Sequence, residues 1–215
     1  MLTGVDMNTN KKEVVVLIHG LWMKGPELLY IRYKLWRQGF QVYQFHYSSI
    51  FKSPEENAAK LYQYLSDINS PVVHLIAHSL GGIVLSHLFH HYEIKQKGKV
   101  ILIGSPLNGS AAATYLSKKK HLKFLLGKSI IKGLLGDAPK WNDKRKVCIV
   151  AGVKGMGAGR LFASSVMQEP NDGTVNLHET HLDAATESHE IPRSHFLLLV
   201  SNKVVEIIIQ FLNKE

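Results

Sequence analysis

The sequence is poor in cysteine, in acidic residues and in long apolar runs, and each shortage excludes a class of protein. One cysteine among 215 residues rules out an intrachain disulfide. Cys148 stands in the apolar run 147–150, which is typical of a buried structural thiol. No apolar run reaches the roughly 20 residues that cross a bilayer as a helix. With 45% hydrophobic residues, the chain has enough apolar material for a sizeable core.

The N-terminal segment 1–12 is short and polar. It lacks the basic start, the apolar stretch and the cleavage site of a secretory signal. We therefore expect a cytoplasmic protein, with membrane association as an option, although a mature secreted chain is compatible with the same composition. The length predicts one domain over 1–215, since neither a linker nor an internal repeat interrupts it.

Acidic residues are few in one segment. The net charge is +9, and the stretch 106–146 alone holds ten basic and two acidic residues. The rest of the chain is close to neutral, so the charge describes this segment and not the whole domain. Because no nucleic-acid recognition motif accompanies the charge, we do not expect nucleic-acid binding.

Apolar, β-prone runs alternate with helical patterns along the chain. Strands are predicted at 13–18, 40–46, 71–77, 99–103, 146–151 and 188–191. Helices are predicted at 26–38, 53–67, 79–92 and 194–212. Strands that are apolar throughout and separated by helices indicate an α/β protein, with about six mostly parallel strands covered on both faces.

The stretch 77–82 reads Ala-His-Ser-Leu-Gly-Gly and joins a predicted strand to a predicted helix. A serine on such a sharp turn needs small neighbours, because larger side chains would collide with the strand or the helix. The N–H groups of the new helix also face the place where an oxyanion would form. Ser79 is therefore the candidate nucleophile. The alternative is a serine that only caps the helix.

This turn resembles the Gly-X-Ser-X-Gly motif of the α/β-hydrolase superfamily, with Ala77 in place of the first glycine. The stretch 104–110 also resembles the Gly-Thr-Pro-His-X-Gly stretch of lipases, with Ser105 and Leu107 as departures. The resemblance covers about 14–212 and is to small single-domain bacterial lipases and esterases. It implies a minimal α/β-hydrolase fold.

The resemblance also implies an oxyanion loop after the first strand, at His19-Gly20-Leu21. In the family, a backbone N–H of this loop and the N–H of the residue after the nucleophile hold the oxyanion. Those residues are Leu21 and Leu80 here. Gly20 and Gly81 are the small residues that allow the close approach. His19 is interpreted as structural, and an ordinary turn is the alternative for the loop.

A serine nucleophile needs a base, and the base needs an orienting carboxylate. The family's chain order is nucleophile, acid, histidine. Asp172, in an Asp-Gly-Thr-Val turn, resembles the acid-bearing loop of lipases. A β-turn aspartate without a catalytic role is the alternative, and Asp183 and Glu179 are competitors.

Twelve histidines compete for the role of base. His195 follows the last predicted strand, where the family's base lies, and His189 is the runner-up. His178 and His181 come too early in the chain. Two groups were weighed as metal ligands: His87, His90 and His91, and His178, Glu179 and His181. Their spacing matches no zincin or structural zinc pattern, so packed or solvated histidines, no metal and no cofactor are predicted.

The basic stretch 106–146 follows a strand where hydrolases often carry a cap. Apolar residues at roughly helical spacing alternate with lysines over 118–132. This pattern predicts a basic amphipathic lid, apolar toward an acyl pocket and basic toward an anionic membrane surface. A helix with its apolar face on the core and its lysines in water is the alternative.

Together these residues indicate a serine carboxylesterase or lipase that acts on a small-molecule or lipid acyl ester through an acyl-enzyme. An acyltransferase or a thioesterase would use the same three residues. A catalytically silent scaffold that binds lipid or a partner through the basic segment is the alternative from a different class.

Overall fold

The computed structural model describes residues 13–156 and 163–214. One sheet of six parallel strands forms the centre, in the order β2-β1-β3-β4-β5-β6. The strands are β1 Val14–Ile18, β2 Gln41–Phe45, β3 Val73–His78, β4 Val100–Ile103, β5 Val147–Gly152 and β6 Glu187–Ile191. The predicted parallel sheet is confirmed.

Helices cover both faces of the sheet. The described α-helices are α1 Leu29–Arg37, α2 Pro54–Ser66, α3 Leu80–His91, α4 Ala111–Ser117 and α5 Asn202–Asn213. Alternate residues of β1 enter different cores: Val16 packs toward α2 and α3, whereas Leu17 packs toward α1 and α5. Because both faces are covered, the inner strands β1 and β4 carry apolar residues at every position.

The start of α2 follows the sequence closely. Ser53 accepts a hydrogen bond from the Glu56 N–H at 3.2 Å, and the Glu56 carboxylate accepts one from the Ser53 N–H at 2.8 Å. Pro54 occupies the first turn, where its missing N–H costs nothing. This reciprocal cap fixes the end of α2 that carries Glu55.

The predicted terminal helix over 194–212 is wrong in its first part. A 3-10 turn, Leu197–Val200, precedes α5, and Ser201 caps the new helix by accepting from the Val204 N–H. Phe196 and Val200, which the apolar spacing assigned to a helix face, are exposed. Leu198 and Leu199 of the 3-10 turn are buried, and α5 buries its own face through Val204, Ile208 and Phe211.

The stretch 118–132 is not one amphipathic helix. The helix α4 ends at Ser117, and 3-10 turns at Lys123–Leu125 and Gly127–Ile130 follow it. Gly127 has φ 54°, and a Cβ there would lie 2.3 Å from the carbonyl oxygen of Ile50. This left-handed residue, pressed against the loop after β2, interrupts any regular helix.

Among the described residues, the helices are all too short or too polar to cross a bilayer. The carboxyl ends of the strands lie at one edge of the sheet. The strand β2 lies on one side of β1, and β3 lies on the other side. Because the connections after β1 and β3 run in opposite directions, a crevice opens between the carboxyl ends of these two strands. The loops from both strands, at Gly20 and Ser79, meet in that crevice.

Candidate active site

Ser79 occupies a strained turn between β3 and α3. Its backbone has φ 53° and ψ −122°, a conformation that residues other than glycine rarely adopt. Its N–H donates to the Ile103 carbonyl at 2.9 Å, which ties the turn to the end of β4. The strain presents the hydroxyl to the crevice, away from the body of the sheet.

The predicted need for small neighbours is met by Gly20 and Gly81. A Cβ on Gly81 would lie 2.9 Å from the carbonyl oxygens of Ile18 and His19. A Cβ on Gly20 would lie 3.0 Å from the Cβ of Ser79 and 2.9 Å from Nδ1 of His78. The 2.9 Å distances are shorter than real Cβ contacts, and the 3.0 Å distance is tighter than nearly all of them. The loop and the turn therefore approach this closely because both residues are glycine.

Asp172 and His195 form a buried pair. The Nδ1 atom of His195 lies 2.6 Å from Oδ2 of Asp172. The other carboxylate oxygen accepts the N–H groups of Thr174 and Val175, at 2.9 and 2.7 Å. The His195 N–H donates to the Asp172 carbonyl at 2.9 Å. Both partners are therefore fixed by backbone contacts as well as by each other.

Gly104, directly after β4, lies against this pair. A Cβ there would lie 3.1 Å from Nδ1 of His195 and 3.3 Å from Oδ2 of Asp172, and the residue has φ 56°. Because the Ser79 N–H is hydrogen-bonded to the neighbouring Ile103, the end of β4 lies between the turn that carries Ser79 and the Asp172–His195 pair. The sequence marked Gly104 only as part of a resemblance, and its contact with the pair appears only in the fold.

The competing acids are engaged elsewhere. Glu179 is buried and accepts the N–H groups of Ala111 and Asn176, at 2.7 and 2.8 Å, so it anchors the start of α4. Burial raises the pKa of Glu179, against the opposing effect of these hydrogen bonds. Asp183 is exposed and bonds to His181 at 2.9 Å. Neither carboxylate contacts His195.

The competing histidine, His189, lies on the edge strand β6 and pairs with Glu187 at 3.3 Å. It does not line the cavity that contains Ser79 and His195. The structure therefore brings Ser79, Asp172 and His195 to one region and leaves His189 outside it.

His78 is a residue of this region that the sequence did not single out. Its ring centroid lies 4.6 Å from that of His195, and its Nε2 lies 3.4 Å from the His195 carbonyl oxygen. Burial, followed by the proximity of His195, holds the pKa of His78 well below 6.5. A neutral ring thus packs against His195. The only feature of the sequence that could have pointed to His78 is its position next to Ser79.

The loop after β1 is held by its histidine. The His19 ring stacks on Tyr47 with centroids 4.2 Å apart, and the Tyr47 hydroxyl donates to the His19 carbonyl at 2.6 Å. Burial lowers the pKa of His19. These contacts give His19 a structural role and place Leu21 on the cavity wall. Leu80 begins α3, so its N–H has no acceptor within the helix.

Trp22 joins this loop to the basic stretch 106–146. Its indole N–H donates to the Leu125 carbonyl at 2.8 Å, and its backbone N–H donates to the Ser49 hydroxyl at 3.1 Å. The residue has φ 61° and is 48% exposed. No pattern in the sequence indicates this contact, because Leu125 lies far along the chain from Trp22.

A cavity of about 400 Å³ opens beside Ser79 and His195. Its wall is mainly apolar and is built by α4 and by the stretch after it. The apolar residues on that wall include Ala112, Ala113, Leu116, Leu126, Leu134 and Val175. A second cavity of about 430 Å³, on the other side of Trp22, is bordered by Lys24, His46 and Lys60.

Cys148 is buried, and burial raises the pKa of its thiol to about 12. Of the two histidine groups weighed as metal ligands, His178, Glu179 and His181 are not brought together, since Glu179 is turned toward Ala111. In the other group, His87 and His91 lie close together, and Glu55 joins them.

The sequence matches no protein-family model and no curated protein. Its structure is similar to that of the mature Bacillus licheniformis lipase BlEst2, with a TM-score of 0.75, 23% identity and coverage of 98% of this chain and 96% of that chain. The chain spans 51% of the propeptide form of that lipase.

Two other solved structures have the same architecture. The metagenomic carboxyl esterase MGS0156 has a TM-score of 0.67 and 12% identity, over 94% of this chain and 76% of that chain. A bromoperoxidase from Bacillus anthracis has a TM-score of 0.64 and 16% identity, over 94% and 92%. From its six parallel strands and these likenesses, the chain has the α/β-hydrolase fold in a minimal form.

Proposed function

We propose that the chain is a serine hydrolase that cleaves carboxylic esters, as a carboxylesterase or lipase does. One observation carries this proposal. Ser79, on a strained turn, lines the same apolar cavity as His195, and His195 is hydrogen-bonded to buried Asp172. A nucleophile, a base and an orienting carboxylate in this relation are the elements of acyl transfer.

In the proposed reaction, Ser79 Oγ attacks the ester carbonyl carbon while Nε2 of His195 takes the hydroxyl proton. Asp172 holds Nδ1 and stabilises the imidazolium. His195 then returns the proton to the leaving alkoxide, and an acyl-Ser79 remains. Water attacks this acyl-enzyme with His195 again as base, which releases the acid and restores Ser79.

Two backbone donors fit the oxyanion of this reaction. The N–H of Leu80 lacks a helical acceptor, and Leu21 lies on the cavity wall beside Gly20. Two preorganised donors act most strongly where water is excluded, and one alone is worth roughly 3 kcal/mol. Without substrate, the side chains of Ser79 and His195, both of which the structure describes, are not hydrogen-bonded to each other. Such contacts tighten when substrate binds.

The cavity wall favours an apolar acyl group. The side chains that α4 and the following stretch contribute are alanine and leucine, without a charge. An acyl chain would bury apolar surface there at about 25 cal/mol per Å². Hydrolysis and acyl transfer use the same acyl-enzyme, and they differ only in whether water or another nucleophile accepts the acyl group.

We further propose that the stretch 118–132 contacts an anionic membrane surface. Lys118, Lys120 and Lys123 are exposed and form no ion pair within the described part of the chain. Phe124, which follows Lys123 in the chain, is 71% exposed. Exposed basic residues and an exposed aromatic residue in one short stretch suit a surface that is anionic outside and apolar beneath.

The test is labelling with a fluorophosphonate probe, read by intact mass. We expect one adduct on the wild type, none on Ser79→Ala, and one on Ser66→Ala, which removes an exposed serine at the end of α2. A panel of nitrophenyl esters of rising chain length would then give the acyl preference. A folded wild type without an adduct would favour the silent scaffold.

A further inference from the structure

The start of α2 and the C-terminal part of α3 bring three side chains that can bind a metal together. One ligand atom each from Glu55, His87 and His91 lies within 4.8 Å of the other two. His87 and His91 are four residues apart, so they lie on one face of α3. Oε1 of Glu55 is 3.8 Å from Nε2 of His91.

The His87 ring is held in a way that leaves one nitrogen free for a ligand. Its Nε2 lies 2.7 Å from the Lys132 carbonyl oxygen. A carbonyl only accepts, so Nε2 carries the proton. Nδ1 is then a bare acceptor. It is buried, and it has no hydrogen-bond partner within the part of the chain that the structure describes.

A buried acceptor without a partner lowers stability, and a bound cation would satisfy it. Histidine ligands of metals usually donate their other ring N–H to a carbonyl or a carboxylate, which fixes the ring. The Lys132 carbonyl has this relation to His87.

We propose that Glu55, His87 and His91 form a binding site for a divalent transition metal, with zinc the best match. Two imidazole nitrogens and one carboxylate oxygen are donors that zinc accepts, and a water would complete a tetrahedral site. Ligand atoms of such a site lie roughly 3.4 Å apart. The ligand atoms, which lie within 4.8 Å of one another, would have to approach by up to about 1.4 Å. The half-exposed side chains of Glu55 and His91 permit this movement.

Lys132 is the group that competes with a metal. Its Nζ lies 3.6 Å from Oε2 of Glu55, and both side chains are largely exposed. An exposed ion pair of this kind contributes little, so a divalent cation can displace it. The Lys132 carbonyl would still hold His87. A bound metal would therefore tie α2 and α3 to the stretch that forms the cavity wall.

The site is separate from the candidate active site. His87 lies eight residues after Ser79 in α3, which corresponds to about 12 Å along the helix. The inference therefore does not depend on the proposed hydrolysis. The sequence showed His87 and His91 but not Glu55, which a different helix supplies.

The test measures zinc binding by calorimetry on the metal-free full chain. The variants His91→Ala and Glu55→Gln change exposed side chains, and His90→Ala is the matched control, since His90 is exposed on α3 outside the cluster. We expect one high-affinity zinc in the wild type and in His90→Ala. In His91→Ala and Glu55→Gln, zinc should bind at least about tenfold more weakly.

A thermal melt gives a second readout. Zinc at about 100 times its Kd should raise the Tm of the wild type by roughly 5–10 °C, and of the His91→Ala variant by much less. Equal zinc affinity in the wild type and His91→Ala would overturn the proposal, as would a wild type that binds no zinc. Zinc that binds at His195 and not at the cluster would show as equal affinity in the wild type and His91→Ala.

Discussion

Asp172 and His195 meet at 2.6 Å across 23 residues of chain. The second oxygen of Asp172 is already occupied by two backbone N–H groups, which fixes the carboxylate plane. The remaining oxygen, Oδ2, is therefore held in place to accept a hydrogen bond from Nδ1 of His195. The imidazole is oriented before any substrate binds, and its other nitrogen is available to exchange a proton.

Replacing Asp172 by asparagine should abolish most ester hydrolysis. An amide can donate to Nδ1 and so favours the wrong tautomer of His195, and the loss in kcat should be roughly 10³- to 10⁴-fold. Asp183→Asn, at an exposed site, is the control and should keep full activity. Full activity of Asp172→Asn would transfer the role of acid to Glu179 or Asp183.

Gly104→Ala should impair catalysis without removing any reacting group. The new methyl would lie 3.1 Å from Nδ1 of His195, in a residue with φ 56°. Displacing the pair by a fraction of an ångström should lower kcat roughly 10- to 100-fold. Gly39→Ala has a comparable backbone strain, at φ 93°, but meets no atom within 4 Å. Gly39→Ala should lose stability and keep its kcat. An equal fall of kcat in both variants would argue against the contact between Gly104 and the Asp172–His195 pair.

Ser79→Gly should be more stable than Ser79→Ala. The backbone at φ 53° and ψ −122° strains any residue with a Cβ, and glycine relieves that strain. We expect a difference of roughly 1 kcal/mol in the free energy of unfolding, measured by urea denaturation. Ser86, inside the regular helix α3, is the control position. There the order should reverse, because glycine weakens a helix relative to alanine.

The protein should lose stability as the pH falls below about 6.5. Burial lowers the pKa of His78 well below 6.5, so the unfolded chain binds a proton there that the folded chain does not. A group of this kind contributes its stability above the unfolded pKa and loses it on acidification. The slope is about 1.4 kcal/mol per pH unit for one proton.

The variant His78→Asn should flatten this dependence, measured as the free energy of unfolding between pH 5 and 7.5 at steps of about half a unit. His90→Asn, at an exposed position, is the control and should leave the slope unchanged. An unchanged slope in His78→Asn would mean that other buried histidines, such as His74, carry the acid sensitivity.

Reversing two charges should release the protein from anionic vesicles. Lys120→Glu with Lys123→Glu should lower the vesicle affinity at least about tenfold at low salt, since each lysine near the surface contributes about 1 kcal/mol. Lys140→Glu with Lys144→Glu makes the same change in net charge at exposed positions outside 118–132. Co-sedimentation measures both. Equal binding to anionic and neutral vesicles would end the membrane proposal.

The strands could be predicted from the sequence to within one or two residues. β1, β4 and β5 are buried on both faces, so they stand out as unbroken apolar runs between polar turns. The helix predicted from residue 53 also begins where the structure has it, because Ser53, Pro54 and Glu56 each act through neighbours in the chain. Local chemistry decides such features.

The helical spacing over 118–132 does not produce a regular helix, and the reason is physical. The apolar residues of this stretch recur at helical spacing, yet Gly127 is held at φ 54° against Ile50, and Lys132 at φ 46° offers its carbonyl to His87. These contacts come from distant parts of the chain. Burial of Leu126 and Leu134 in the cavity wall outweighs the local preference for a helix.

The sequence by itself determined the order of strands and helices, the turn that carries Ser79, and the short list of acids and histidines. These depend on residue size, polarity and spacing within a few positions. Only the tertiary structure decided that Asp172, and neither Glu179 nor Asp183, reaches His195, and that Glu55 joins His87 and His91. Those pairings join segments whose approach is fixed by the packing of the whole sheet and its helices, which no local pattern encodes.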